Sequence, residues 1–146
     1  MSKAEAADKL HENYNCAQSV MTAFAEDFGL NKNQALSVSV GFGGGMGRTQ
    51  ETCGAVTGAI MILGLASDFK EGDKRDKINA VYAKVRAFLD DFAREHGTVK
   101  CRDLIGCNLL TEEGQKYFKE NNLREKCLGY VGFCSKLLEK YLKEEK

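Results

Sequence analysis

The chain has 146 residues, in which 21 lysine and arginine residues balance 21 aspartate and glutamate residues. This length suits a single domain, residues 1–146, with one hydrophobic core, and the balanced charge without a basic stripe argues against nucleic acid as a partner. The longest apolar stretch is shorter than the roughly 20 residues of a membrane-spanning helix, and the charged N-terminal residues do not form a secretory signal. We therefore expect a cytoplasmic protein that does not enter membranes.

The first half of the chain is predicted to form three helices and one glycine-rich loop. Apolar residues at steps of three and four predict a first helix over residues 3–28, which ends at Gly29 and has Cys16 beside its apolar stripe. A short second helix is expected over residues 31–40, with Asn31 as its N-cap. The glycine loop, residues 41–52, then leads into an apolar third helix that begins at Cys53 and ends near residue 67.

The second half of the chain is also predicted to be helical. A fourth helix is expected over residues 73–96, followed by a short turn-like stretch over residues 101–107. A helix capped by Thr111 reaches about residue 121, and the last helix begins near residue 123 with one continuous apolar face. Because the chain has no proline and helical periodicity prevails, the pattern predicts an all-α, single-domain bundle of five or six helices.

Six cysteines are the main chemical feature of the sequence: Cys16, Cys53, Cys101, Cys107, Cys127 and Cys134. In a reducing cytoplasm this number indicates catalysis, redox switching or metal binding instead of a framework of structural disulfides. No C-x-x-C or C-x-x-H pair occurs, so the usual zinc and thioredoxin signatures are absent. The glycine loop lacks both a Gly-Lys-Ser/Thr sequence and a βαβ context, which argues against a nucleotide-binding loop.

Cys53 is the strongest candidate for a reactive thiol. The glycine loop delivers it to a helix N-terminus, where the helix dipole and the unpaired N–H groups favour the thiolate. Nearby Arg48 would lower its pKa further, although Glu51 would oppose this. For Cys107 and Cys134 we favour simple burial as small apolar side chains, because free cysteine is commonly buried.

The two histidines are weaker candidates. Neither His11 nor His96 has the acid or histidine partner four residues away that a metalloprotease helix would supply. His96 is explained by its place at a helix C-terminus, and His11 falls off the apolar stripe of its predicted helix. We therefore expect structural or surface roles for both.

Four short motifs stand out along the chain: Asn15-Cys16-Ala17-Gln18-Ser19-Val20, Cys53-Gly54-Ala55-Val56-Thr57-Gly58 after the glycine loop, Cys101-Arg102-Asp103-Leu104-Ile105-Gly106, and Cys127 shortly before Tyr130-Val131. Together they resemble a known family, the C_GCAxxG_C_C proteins of bacteria and archaea, which are described as redox-active because of four recurring cysteines. The resemblance covers nearly the whole chain. It implies that the family cysteines correspond to Cys16, Cys53, Cys101 and Cys127.

This resemblance leads to one main hypothesis and two alternatives. The main hypothesis is a thiol oxidoreductase in which the four cysteines converge, Cys53 attacks, Cys16 resolves, and Cys101 and Cys127 form a second pair. It requires an unidentified redox partner or electron donor. In the first alternative the same four cysteines, Cys16, Cys53, Cys101 and Cys127, bind zinc or an iron–sulfur cluster. In the second, the chain is a helical interaction module with inert buried cysteines. The sequence also leaves a homo-oligomer open.

Overall fold

The structure, a computed structural model, describes residues 1–144 and consists of α-helices and their connections. No β-strand forms in this part of the chain, where one isolated bridge joins Thr52 to Lys100. The all-α prediction is confirmed, although residues 1–144 form eight α-helices of five or more residues instead of five or six helices. The helices are α1 (Lys3–Leu10), α2 (Cys16–Ala25), α3 (Lys32–Ser39), α4 (Gly54–Ala66), α5 (Arg75–His96), α6 (Cys101–Ile105), α7 (Glu112–Glu120) and α8 (Arg124–Glu144).

The predicted first helix is in fact two helices, α1 and α2, with a break between them. Asn15 caps α2 in a capping box: its side chain accepts a hydrogen bond from the Gln18 N–H at 2.9 Å, and the Gln18 side chain accepts one from the Asn15 N–H at 3.1 Å. This reciprocal cap starts a new helix at Cys16. The apolar stripe continues across the break, so periodicity alone predicted one helix.

Two other differences from the sequence prediction concern the cysteines directly. The turn-like stretch that begins at Cys101 is the short helix α6, and Cys101 is its first residue. Because the break between α1 and α2 adds a helix, the glycine loop precedes the fourth helix and not the third. Cys53 is the N-cap of that helix, α4. The remaining predicted helices are present close to their expected bounds.

Helices α2 and α4 pack against each other through small residues. A methyl group at Gly58 would lie 2.7 Å from the carbonyl oxygen of Ala17, and one at Gly54 would lie 3.1 Å from the Ala17 nitrogen. Glycine at these two positions therefore lets the two backbones come closer than any side chain would allow. The approach brings the beginnings of α2 and α4, and with them Cys16 and Cys53, to the same end of the bundle.

Helices α5 and α8 complete the main core around this pair. The fully buried side chains of the core include Phe24, Ile62, Leu63, Phe88, Phe92, Val131 and Leu138. Helix α4 is the most apolar of the helices, and the prediction of a buried core helix there is confirmed. In residues 1–144, no helix is both long enough and apolar enough to cross a membrane.

The glycine loop folds over one end of the bundle and is held there by specific contacts. Gly45 has a left-handed backbone (φ 66°), and a methyl group on it would lie 2.8 Å from Cβ of Cys101. The Gln50 side chain donates to the carbonyl oxygen of Cys107 at 2.7 Å and accepts from the N–H of Leu109 at 2.9 Å. These contacts fix the loop against the segment that follows α6.

Candidate functional site

A cavity of about 310 Å³ lies under the glycine loop, where the beginnings of α2, α4, α6 and α8 meet. Cys16, Cys53, Cys101 and Cys127 all line it. The four side chains that the family resemblance singles out therefore surround one space. All of them are free thiols in this structure.

Each of the four cysteines is positioned by the start of a helix. Cys16 and Cys101 are the first residues of α2 and α6, Cys53 is the N-cap of α4, and Cys127 lies in the first turn of α8. Helix starts present unpaired N–H groups and a positive dipole end, which favour a negative charge nearby. The fold thus directs four such ends towards one cavity.

The other two cysteines lie outside this cavity. Cys134 is completely buried in the main core between α8 and its neighbours. Cys107 is half-buried and borders a separate surface depression beside Arg102. Their positions agree with the interpretation that they are not part of the four-cysteine site.

The prediction that Cys53 has a lowered pKa is wrong. Its side chain is only 4% exposed, and burial raises the pKa of Cys53 to about 12. The nearby N–H groups of Ala55 and Val56 lower the pKa of Cys53, as expected at a helix start, but desolvation outweighs them. Burial similarly raises the pKa of Cys101 to about 11.

Cys127 is the cavity cysteine whose pKa is lowered. The largest cause is a side-chain hydrogen bond with Cys16, and the positive charge of Arg124 contributes as well, while burial opposes both. The same hydrogen bond, followed by burial, raises the pKa of Cys16. The two thiols are therefore neighbours whose pKa values shift in opposite directions. The sequence had instead paired Cys16 with Cys53.

His11 belongs to the site, although the sequence gave it a structural or surface role. It follows α1 in the break before α2, is only 7% exposed, and places Nε2 3.3 Å from Sγ of Cys16. Burial, and then the charge of Arg124, lower the pKa of His11. Its Nδ1 is buried without a hydrogen-bond partner in residues 1–144. The capping box at Asn15 was the sequence signal for the break that turns His11 inward.

His96 has the structural role that the sequence predicted. It is the last residue of α5, and its ring packs against the rings of Phe92, Tyr130 and Phe133, with centroids 4.5–5.0 Å apart. Partial burial lowers the pKa of His96. It does not line the cavity.

The metal alternative gains no support from the side-chain geometry. Within the described residues, no group of three or more histidine, cysteine, aspartate or glutamate side chains is arranged to hold a metal ion.

Comparison with known proteins places these residues in a family context. A family model described as "Putative redox-active protein (C_GCAxxG_C_C)" matches residues 14–141. A protein of Archaeoglobus fulgidus, described as "Uncharacterized protein", is 28% identical over 153 aligned residues, which cover 99% of this chain and 95% of the relative. No solved structure matches the chain.

Proposed function

The chain belongs to the C_GCAxxG_C_C family, whose description is redox activity, and on this premise we propose that it carries out thiol–disulfide exchange. In this proposal Cys127 is the attacking thiolate and Cys16 is the resolving thiol. The observation that carries it is geometric: Cys16 and Cys127 line the same cavity, and Nε2 of His11 lies 3.3 Å from Sγ of Cys16. The pKa shifts of the two thiols, in opposite directions, support the same assignment. A lowered pKa increases the fraction of the attacking thiol that is thiolate at neutral pH, and the thiolate is the nucleophilic form.

In the first step, Cys127 opens the substrate disulfide and releases one half of the substrate. The Cys127 thiolate attacks one sulfur, the sulfur–sulfur bond of the substrate breaks, and one half of the substrate leaves as a thiolate. Cys127 is then joined to the other half as a mixed disulfide. Because its sulfur no longer carries a negative charge, it stops accepting the hydrogen bond of Cys16.

In the second step His11 removes the proton of Cys16. The freed S–H of Cys16 turns to Nε2 of His11, which lies 3.3 Å from the sulfur and is neutral at pH 7 because burial lowers its pKa. The Cys16 thiolate attacks the Cys127 sulfur, and the second half of the substrate leaves with the proton that His11 has taken. The substrate disulfide has become two thiols, and Cys16 and Cys127 have become a disulfide.

The other two cavity cysteines stay protonated in this scheme. Burial is the main cause of the raised pKa of Cys53 and of Cys101, and the negative charge of Cys127 adds to the rise in both. A dithiol electron donor would return the Cys16–Cys127 disulfide to two thiols. The predicted cytoplasmic location is part of the proposal, since a reducing compartment supplies such donors.

Single-turnover reduction of a small disulfide tests the proposal. We expect Cys127→Ser to abolish the reaction and Cys16→Ser to stop it at the mixed disulfide, which mass spectrometry detects on Cys127. His11→Asn should prolong the mixed disulfide by about 100-fold, the contribution typical of a general base. Cys107→Ser is the matched control, because this cysteine lies outside the cavity, and it should react like the wild type. Equal loss in Cys107→Ser and Cys127→Ser would refute the assignment.

A further inference from the structure

The charges around the cavity are unbalanced, although the charges of the whole chain balance. Arg48 and Arg124 line the cavity, and neither aspartate nor glutamate does so among the described residues. His11 adds no positive charge at neutral pH, because burial lowers its pKa. The cavity therefore presents cationic side chains to whatever enters it.

Of the two arginines that line the cavity, Arg48 has the guanidinium without a partner. The residue lies in the glycine loop in a left-handed conformation (φ 67°) with its Cγ against Gly44, and its guanidinium forms no hydrogen bond or ion pair within residues 1–144. The one carboxylate of the loop, Glu51, is engaged elsewhere, because it pairs with Arg102 at 3.4 Å outside the cavity. The planar donors of Arg48 are left available to a ligand, and guanidinium donors match a carboxylate particularly well.

The charge of Arg124 is less available to a ligand than that of Arg48. It donates to the carbonyl oxygen of His11 and lowers the pKa of Cys127. On its outer side it borders a surface depression shared with the acidic residues Glu5, Asp8 and Glu12. Its charge is therefore partly offset by these carboxylates and partly used by Cys127, which leaves Arg48 as the residue that can select a ligand.

The size and walls of the cavity limit the ligand further. About 310 Å³ is at the lower end of the roughly 300–1,000 Å³ found for small-molecule sites. Besides the cysteines, apolar side chains such as Leu104, Ile105, Phe118 and Tyr130 form the wall. Such a space suits a small molecule with an apolar middle and a charged end.

From these observations, and resting on the proposed thiol–disulfide exchange, we propose that the substrate is a low-molecular-weight disulfide that carries carboxylates. Arg48 binds a carboxylate at the mouth of the cavity, and the substrate sulfur then meets Cys127 inside. The chemical step remains the balanced exchange described above: the substrate disulfide is reduced to two thiols, and Cys16 and Cys127 are oxidised to a disulfide. In addition to the exchange reaction, the protein selects its substrate by the negative charge of the carboxylates.

A pair of disulfides that differ only in charge tests this inference. Dithiodipropionate carries two carboxylates, and its diamide has nearly the same shape and similar leaving groups but no charge. Reduced wild-type protein should react with the acid about tenfold faster than with the diamide, as a charged hydrogen bond to one carboxylate would give. Added salt should reduce this preference, because it screens the attraction.

Variants of Arg48 identify the residue responsible. Arg48→Gln should lower the ratio of the two rates to about one, and Arg48→Lys should retain most of it. Arg86→Gln is the matched control, since it removes the same charge from an exposed position of α5 that does not line the cavity. Circular dichroism of each variant confirms that the helices are intact.

The outcomes separate this inference from the proposed function. Equal rates for the acid and the diamide in wild type, or an unchanged ratio in Arg48→Gln, would overturn the inference and leave thiol–disulfide exchange standing. Reduction of a disulfide-bonded peptide but of neither small disulfide would also overturn it, in favour of a macromolecular substrate. Failure of the protein to reduce any of these disulfides would overturn both.

Discussion

The thiol of Cys127 differs from its neighbours because three groups offset the cost of burying its negative charge. They are the hydrogen bond from Cys16, the backbone N–H of Cys127 itself, and the guanidinium of Arg124 one turn earlier on α8. Cys53 lies close to helix N–H groups that lower its pKa, yet it is more deeply buried and has no cation among the causes that lower its pKa. Local helix position was thus insufficient to predict which thiol has the lowered pKa.

The pH dependence of alkylation at Cys127 follows from this arrangement. Its rate with iodoacetamide depends on the thiolate, so the rate should fall as the pH drops through a pKa below the ordinary 9.0. Arg124→Gln removes a charge that lowers this pKa, so the profile should move to higher pH and the rate at pH 7 should fall severalfold. Mass spectrometry of the labelled peptides measures both.

Lys126→Gln provides the control for that profile. Lys126 is exposed on the same turn of α8, carries the same charge, and is not among the causes of the Cys127 pKa shift. Its replacement should leave the profile of Cys127 where it is in wild type. A profile centred at or above pH 9.0, or one that moves equally in both variants, would show that Arg124 does not set this pKa.

At the scale of single residues, the sequence predicted which cysteines meet at one cavity but not the order of their pKa values. The four cysteines came from motif resemblance, which does not depend on three-dimensional contacts. Burial reversed the expected order of their pKa values, and the contact between His11 and Cys16 depends on a chain break that the apolar stripe conceals. Both effects arise from tertiary packing, which local sequence patterns do not report.

Among the helices, the contact between α2 and α4 determines the position of the cavity. Gly58 faces the carbonyl oxygen of Ala17, so a methyl group there would be only 2.7 Å from a backbone atom. One of the two helices must therefore move if this glycine is replaced. Since Cys16 begins α2 and Cys53 caps α4, any such movement also changes the wall of the site.

Gly58→Ala should lower the free energy of unfolding by about 1–3 kcal/mol, the usual cost of overpacking a core. Gly64→Ala is a matched control in the same helix, because no atom lies within 4 Å of the added methyl group. Alanine has the higher helix propensity, so this change should raise stability by up to about 1 kcal/mol. Urea unfolding measures both values. A loss of similar size in Gly64→Ala would contradict the packing argument.

Helix prediction succeeded where long periodic segments and clear caps coincide. The observed α5 and α7 begin and end within about two residues of the expected bounds, and Thr111 caps α7 as predicted. Helix α6 has five residues, which is too short for a periodic pattern to be recognised. At the break before α2, the cap residues Asn15 and Gln18 indicate a helix start, whereas the apolar stripe indicates one continuous helix. The prediction of a single helix relied on the stripe and therefore missed the break.

In the whole molecule, the cavity lies between two packed groups of side chains. Cys53 is part of the main core, whereas Cys101 and Cys127 belong to a smaller apolar cluster with Ile105 and Leu123. The glycine loop bridges the two, held by the Gln50 side chain on one side and by α4 on the other. A site at such a boundary combines buried thiols with access for a small ligand.

The all-α class followed from the sequence because it depends on local patterns summed over the chain. The convergence of four helix starts on one cavity depends on the order in which the helices pack, so it was inferred from family resemblance and not from the residues alone. Pairing of Cys16 with Cys127 joins residues 111 positions apart in a chain of 146. No sequence motif of fixed spacing could therefore predict that these two residues pair.

The measurement that tests this account most directly is a disulfide map of the oxidised protein. Reduced protein is treated with one equivalent of a small disulfide, the remaining thiols are blocked, and the bridged peptides are identified after digestion without reductant. We expect one bridge, between Cys16 and Cys127, with the other four cysteines blocked. A bridge between Cys16 and Cys53, or a protein whose six cysteines are all blocked, would contradict the central claim.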